Sequence, residues 1–515
     1  MRIHKLLFIV PCFVLTACGP DTSQPSSAEQ LPATQSDQCG ELSRADIAGV
    51  TITEAGIVAA GTFTAPTANR FGVTPDYSGL PDFCRVAGSI KPAEDSDIRY
   101  ELWLPVDDWN GRFLQTGNGG AAGAIVYRSL VAPLLRGYAV ANTDTGHEGG
   151  AGEFTWAPEH PDKLIDYQYR AVRELTLAGK ALTAAYYGRP PEKAFWLGCS
   201  TGGRQGLKEV QRYPADYDAV VAGAPANNWS PLMSLSIIIE RNLGPQGLHL
   251  ENLGLLRDAA VAACDGLDGV SDGVIADPAS CTFDAATLAC DGDVESGCLT
   301  PQEVAAAGRI YAGVVNAAGD VIMPGTGPGS EEAWAGYASE RFRIGSSYFR
   351  NLIASDASWD PAAFDVDRDL ARAEAFDRDA AKAMDPNIGG FVDRGGKLLL
   401  YHGTTDGLIP YGNSVRYYQS VVDTLGAAKA ADSVRLFLVP GMNHCAGGAG
   451  AHQVDWLTAM ENWVEDGIAP ESLTAVHPGE AAFTRPLCAY PQRAAYKGDG
   501  DPTQAASFEC RSTSP

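Results

Sequence analysis

Residues Ala194-Phe195-Trp196-Leu197-Gly198-Cys199-Ser200-Thr201-Gly202 decide the fold of this chain. The first four form a short apolar run of the kind that makes a buried strand. The next five match G-x-S-x-G and lie between that strand and a stretch of helical character. In a chain with 57 glycines the five-residue pattern alone is weak, and its strand-to-helix setting gives it meaning. Glycines allow a tight turn that projects the Ser200 hydroxyl, and the following helix N-terminus favours negative charge developing beside it.

The pattern extends in both directions. Upstream, Tyr100 to Ala141 alternates apolar runs such as Tyr100-Glu101-Leu102-Trp103-Leu104 and Arg112-Phe113-Leu114-Gln115 with Gly and Asn-rich turns, which predicts strands. Leu164 to Tyr187 places Val172, Leu175, Ala178, Leu182 and Ala185 at helical spacing. Downstream, Ala219-Val220-Val221-Ala222 reads as another buried strand. From about Asn227 to Asp393 the character shifts to Ala-rich helical stretches, a Cys and Asp-rich loop, and an aromatic segment from Trp334 to Trp359. Strand-like runs return at Lys397 to Tyr401 and Val434 to Val439, and a helix is predicted from about Val454 to Glu465. No internal repeat of solenoid or propeller period is present. The expected class is α/β: an α/β-hydrolase core in two parts, 39–226 and 394–515, with a lid domain inserted at 227–393.

A serine hydroxyl is a poor nucleophile near neutral pH, so it needs a base and a third group that fixes the tautomer of that base. In this architecture the order is Ser, acid, His. The two returning strands are followed by His402-Gly403-Thr404-Thr405-Asp406-Gly407 and by Pro440-Gly441-Met442-Asn443-His444-Cys445. The expected triad is Ser200, Asp406 and His444, with His402 and His147 read as core groups. An oxyanion hole would combine the Thr201 N–H with one from Gly117-Asn118-Gly119-Gly120, where either Gly119 or Gly120 can be the donor. The expected reaction is hydrolysis of a carboxylic ester through an acyl-enzyme. The alternative is a catalytically silent binding protein for phenolic or polysaccharide ligands. A peptidase or acyltransferase would use the same three residues.

The N-terminus carries Arg2 and Lys5, then an apolar stretch from Leu6 to Thr16 that is too short to span a bilayer and reads as an export signal. It ends in Leu15-Thr16-Ala17-Cys18, which resembles a bacterial lipobox, so residues 1–18 are expected to be a lipoprotein signal with Cys18 acylated. Residues 19–38, rich in Ser, Pro and Gln, suit a flexible tether. The expected location is the bacterial cell envelope, with membrane contact through the lipid alone. The 38 basic against 63 acidic residues give a net charge of −25, which argues against a nucleic-acid partner.

Setting aside Cys12 and Cys18 in the signal leaves ten of the twelve cysteines, an even number suited to an oxidising compartment. Local spacing suggests Cys39 with Cys84, Cys264 with Cys281, Cys290 with Cys298 and Cys488 with Cys510. Cys199 and Cys445 are then left, as buried thiols or as a bridge. A bridge needs Cα atoms within about 7 Å, so it would bring Ser200 and His444 into one small region.

Cys264-Asp265-Gly266-Leu267-Asp268-Gly269-Val270-Ser271-Asp272-Gly273-Val274 concentrates carboxylates and glycines. Asp265, Asp268 and Asp272, with the carbonyls of Val270 and Val274, offer the hard oxygens that calcium takes. The spacing is not that of an EF-hand, and a loop of Asx turns is the other reading.

Cys-Ser at the nucleophile, the Asp loop and His-Cys at the base together resemble the tannase and feruloyl esterase family. Gly117-Asn118-Gly119-Gly120, Asp144-Thr145-Gly146-His147, the Asp-rich loop and Arg485-Pro486-Leu487-Cys488-Ala489-Tyr490-Pro491 extend the resemblance over most of the mature chain. The resemblance implies an α/β-hydrolase core, a lid with a calcium site, and hydrolysis of small esters of aromatic acids. That family includes the hydrolase of mono(2-hydroxyethyl) terephthalate, whose five-bridge arrangement the ten cysteines resemble. Thr201 stands where that enzyme has Glu, and none of Arg341, Arg343 or Arg350 aligns securely with its carboxylate-binding arginine. Trp334, Tyr337, Phe342, Tyr348, Phe349 and Trp359, with Ile409, are candidate walls for an aromatic ring.

Overall fold

The computed structural model describes residues 35–66, 75–291, 297–479 and 482–512. The export signal, Cys18 and the tether as far as residue 34 lie outside the described residues. Gln35–Gln38, expected in the tether, instead open a short helix, Gln35–Glu41. The anchorage is covalent, because Cys39 within this helix is bonded to Cys84, and Leu42 just beyond it is buried.

Among the described residues nine strands form one sheet. They are β1 (Val50–Val58), β2 (Phe83–Ile90), β3 (Ile98–Pro105), β4 (Arg112–Thr116), β5 (Ala139–Thr143), β6 (Lys193–Cys199), β7 (Ala219–Gly223), β10 (Lys397–Gly403) and β11 (Val434–Val439). The short strands β8 (Val314–Val315) and β9 (Val321–Met323) pair only with each other. The sheet order is β1-β2-β3-β5-β4-β6-β7-β10-β11. Pairing is antiparallel from β1 to β5 and parallel from β5 through β4, β6, β7 and β10 to β11.

The parallel strands are apolar on both faces because helices cover both. Leu398 and Leu400 of β10 join one core with Trp196, Val220 and Ala222, under helices Ala171–Tyr187, Thr201–Arg212 and Tyr411–Leu425. Leu399 and Tyr401 point the other way, into a second core with Phe195, Val221 and Phe437 under helices Tyr127–Leu135 and Trp456–Asp466. The helix starting at Trp456 is capped by Asp455, whose side chain accepts the Thr458 N–H.

The helix expected over Leu164 to Tyr187 is present with a wider turn in it. Pro161–Ile165 is α-helical, Asp166–Arg170 makes a π turn, and Ala171–Tyr187 runs on to Gly188 in the left-handed conformation. The spacing does not show such a turn, because Val172, Leu175, Ala178, Leu182 and Ala185 all lie in the α-helix that follows it.

Among the described residues, none between β7 and β10 joins the large sheet. Helix Trp229–Asn242, buried along most of its length, anchors a third core containing Leu256, Ile310, Trp334, Tyr337 and Tyr348. Ala121, Phe154, Tyr167 and Ile409 from the sheet-bearing part join the same core, so the inserted segment packs over the loops at the C-terminal ends of the strands. Beyond β11, β12 (Ser472–His477) pairs with β13 (Phe483–Cys488), and β14 (Gln492–Tyr496) with β15 (Phe508–Ser512). Cys488–Cys510 links the two hairpins. The remaining bridges are Cys264–Cys281, Cys290–Cys298 and Cys199–Cys445.

Candidate active site

β6 ends at Cys199, and the helix starts at Thr201, leaving Ser200 alone to turn the chain. Its φ of 64° and ψ of −124° are strained for a residue with a side chain, as expected of a serine at a sharp strand-to-helix turn. Neighbouring backbone holds the strain: Ser200 N–H donates to Gly223 O at 3.0 Å, and Ser200 O accepts from Ala226 N–H and Arg204 N–H. The turn also needs close contact with the loop after β4. A Cβ added to Gly117 would lie 2.4 Å from Gly202 Cα, so a side chain there would push the two loops apart.

The loops after β10 and β11 meet beside this turn. His444 Nδ1 lies 2.7 Å from Asp406 Oδ2. Asp406 Oδ1 accepts the Leu408 and Ile409 N–H groups, each at 2.9 Å. Burial acts to raise the Asp406 pKa, but the charges and hydrogen bonds of His444 and His402 outweigh it and hold the carboxyl well below its usual range. Burial likewise works against a charged His444, yet the Asp406 charge and hydrogen bond leave its pKa above the ordinary imidazole value. Asp406 therefore stays ionised, and His444 Nδ1 carries the proton, which leaves Nε2 free to act as a base.

Ser200, Thr201, Gly120 and His444 line one cavity. Among the described residues Ser200 Oγ has no hydrogen-bond partner, and the Thr201 and Gly120 N–H groups donate to no other protein group. Gly119 has an equally free N–H but does not line the cavity. Gly120 has φ of +55°, and a Cβ there would sit 2.2 Å from Ala151 O. Its carbonyl accepts the Thr201 hydroxyl at 2.7 Å and the Tyr167 hydroxyl at 3.1 Å. Burial pushes Tyr167 up to about 12, so its hydroxyl stays protonated and donates. The next carbonyl, Ala121 O, lies 2.8 Å from His147 Nε2.

The rest of the cavity is apolar: Ala226, Trp229, Leu232, Met233, Phe342, Ile344, Leu408 and Ile409, with Tyr337 donating its hydroxyl to Leu408 O. Of the six aromatic residues singled out in the sequence, Tyr337 and Phe342 reach it. Trp334, Tyr348, Phe349 and Trp359 do not line it: the first three are buried in the insertion core, and Trp359 packs against that core and stacks on Phe349. Arg341, Arg343 and Arg350 also stay outside: Arg343 pairs with Glu240, and Arg350 Nε donates to Trp359 O.

The chain matches the model described as tannase and feruloyl esterase over residues 84–511. The chain belongs to the tannase and feruloyl esterase family. As a member, it is a carboxylic ester hydrolase. It is 35% identical to an uncharacterized esterase of Xanthomonas campestris pv. campestris, covering 93% of this chain and 92% of that one. It is 36% identical to a probable feruloyl esterase B-1 of Aspergillus flavus, over 83% and 86% of the two chains. The crystal structure of feruloyl esterase B from Aspergillus oryzae superposes with a TM-score of 0.85 at 30% identity, covering 93% of this chain and all of that one.

In this esterase the Asp265–Val274 loop is folded on its own backbone. Asp265 accepts the N–H groups of Asp272, Gly273 and Val274, and Asp268 accepts that of Val270. Asp272 accepts the Val274 N–H and pairs with Arg485. Among the described residues no three His, Cys, Asp or Glu side chains converge to hold a metal ion. The donor types of the loop suit calcium, but their present placement does not, because backbone N–H groups and Arg485 hold the carboxylates.

Sequence reasoning did not find Tyr167, His147 or His402 as parts of this site, nor the lining side chains Leu232, Met233 and Ile344. No local motif marks Tyr167, which the π turn presents to Gly120. His147 and His402 stand inside quoted motifs, but nothing local shows their partners: Ala121 O in the loop after β4 for the first, and Ile409 O and Ser414 Oγ beyond β10 for the second.

Proposed function

We propose that this esterase hydrolyses esters of aromatic carboxylic acids through an acyl-enzyme on Ser200. The observation that carries the reading is the cavity that brings Ser200, Thr201, Gly120 and His444, with Asp406 buried behind His444, against an apolar wall. His444 Nε2 takes the Ser200 proton as Oγ bonds to the ester carbonyl carbon. The resulting oxyanion is held by the Thr201 and Gly120 N–H groups. Its collapse breaks the bond to the alcohol, which leaves with the proton from His444. Water, deprotonated by His444, then attacks the acyl-enzyme and releases the acid.

The names of the relatives and the apolar wall, which includes Tyr337 and Phe342, support a phenolic acyl group. Among the described residues no Lys or Arg lines the cavity, so an acyl group bearing a second carboxylate, as in terephthalate monoesters, is disfavoured. Hydrolysis of a panel containing methyl ferulate, methyl gallate and mono(2-hydroxyethyl) terephthalate, with wild type and Ser200→Ala side by side, tests the reading. The wild type is expected to turn over the neutral esters and the variant none of them.

Export and a lipid anchor at Cys18 belong to the same reading, supported by the signal-like N-terminus and by five disulfides. Calcium in the Asp265–Val274 loop is a structural proposal that takes no part in the reaction. It requires Asp265, Asp268 and Asp272 to turn toward one point. A melting temperature that rises with added calcium and falls with a chelator supports it, and an unchanged value removes it.

A further inference from the structure

Two imidazoles meet at the Asp406 carboxylate. On one side is His444, whose Nδ1 is 2.7 Å from Oδ2. On the other is His402, at the end of β10, whose Nε2 is 3.3 Å from the same oxygen. His402, Asp406 and Ser414 are buried.

The partners of His402 make Nε2 a donor. Nε2 lies 2.8 Å from Ile409 O, and a carbonyl only accepts, so Nε2 carries the hydrogen. Nδ1 lies 2.8 Å from Ser414 Oγ, which orients the ring. The ring is thus a donor whose Nε2–H is divided between Ile409 O and Asp406 Oδ2. A fully buried histidine that filled space alone would need no approach to a buried carboxylate that already accepts three other donors.

We propose that His402 is a positioning residue of this esterase: it fixes the Asp406 carboxylate from behind and draws electron density from the oxygen that faces His444. The inference rests on the proposed triad. It assigns His402 a part in setting the basicity of His444, beyond its place in the core.

The titratable groups facing Asp406 are His444 from the loop after β11, His402 from β10, and Tyr337 from the inserted segment. Tyr337 has its pKa raised by burial and by the Asp406 charge, and it donates to Leu408 O. Loss of the His402 donor leaves more negative charge on Oδ2. The imidazolium form of His444 is then favoured, and the acid limb of kcat/KM moves to higher pH.

Asn and Gln separate the two halves of the ring. In His402→Gln the amide N–H reaches the Nε2 position and keeps the donor to Asp406. In His402→Asn it reaches only the Nδ1 position, so the contact with Ser414 remains and the donor is lost. His402→Asn is expected to lower kcat about tenfold with little change in KM, and to move the acid limb up by about half a pH unit. His402→Gln should stay within about threefold of wild type with the limb in place. Equal losses in both variants with an unmoved limb, or a wild-type profile in His402→Asn, overturn the proposal. If His402→Asn does not fold, Ser414→Ala removes the hydroxyl that orients the ring, and a limb that does not move upward overturns it as well. A separate aliquot of each sample is labelled with a fluorophosphonate probe. A wild type that does not label at Ser200 overturns the triad, and this proposal with it.

Discussion

Cys199 and Cys445 are 246 residues apart in sequence and joined by a disulfide with a Cα–Cα distance of 6.0 Å. Each adjoins a residue of the proposed triad, Ser200 on one side and His444 on the other. The covalent link therefore spans the gap that the base has to close. The loop it closes includes the whole inserted segment, and constraining so long a loop is worth on the order of 5 kcal/mol in the chain-entropy account.

Replacing both cysteines with Ala is expected to destabilise the enzyme by about 2–5 kcal/mol and to reduce kcat through looser placement of His444. Denaturant unfolding with parallel kinetics under native conditions checks this. Unchanged kcat in a folded double variant would separate the bridge from the chemistry.

Asp406→Asn keeps the shape of the acid and removes its charge. The amide cannot accept from His444 as the carboxylate does, and it permits the wrong tautomer. Turnover is expected to fall by roughly 10⁴-fold with the fold intact, measured as kcat on the best ester of the panel.

The pH profile follows from the same pair. Catalysis needs His444 neutral, and the Asp406 charge raises its pKa above the ordinary value of about 6.5. Protonation on the acid side therefore begins at higher pH than for a free imidazole, and kcat/KM should rise with pH through a limb above that value. Conversely, Asp406 is held far below its usual range, so its own protonation adds no second limb in the range where the enzyme is folded. A limb at or below the free-imidazole value would contradict the pairing.

Gly120→Ala tests the oxyanion hole. The added Cβ meets Ala151 O at 2.2 Å, and the positive φ penalises any side chain, so the loop has to move. Loss of one donor is expected to lower kcat by about 10²–10³-fold with a much smaller effect on KM. Gly119→Ala, outside the cavity lining, should cost less in kcat.

The strands from Tyr100 onward, the serine turn and the two returning loops were legible in the sequence because each is local, whereas the antiparallel strands Val50–Val58 and Phe83–Ile90 were not read. Ala194 to Leu197 and Lys397 to Tyr401 are continuous apolar runs, and Gly198 to Gly202 carries its own turn chemistry. The four disulfides with short spacing were legible for the same reason, and Cys199 with Cys445 by remainder. Features that depend on contacts between distant elements were not legible. The Tyr167 hydroxyl reaches Gly120 from a π turn that precedes the residues whose spacing predicted the helix. His402, read as a core residue, does sit in the core, but its Nε2 faces Asp406 Oδ2. Aromatic content alone did not separate Tyr337 and Phe342, which line the cavity, from Trp334 and Phe349, which build the insertion core.

The central claim is that Ser200 is the nucleophile, and covalent labelling tests it most directly. The purified mature protein is incubated with a fluorophosphonate probe, digested, and the modified residue mapped by mass spectrometry, with Ser200→Ala as the control. The account predicts a single adduct at Ser200, loss of ester hydrolysis in step with labelling, and no adduct in the variant. Full ester hydrolysis by Ser200→Ala, or labelling at another serine that tracks loss of activity, would contradict it.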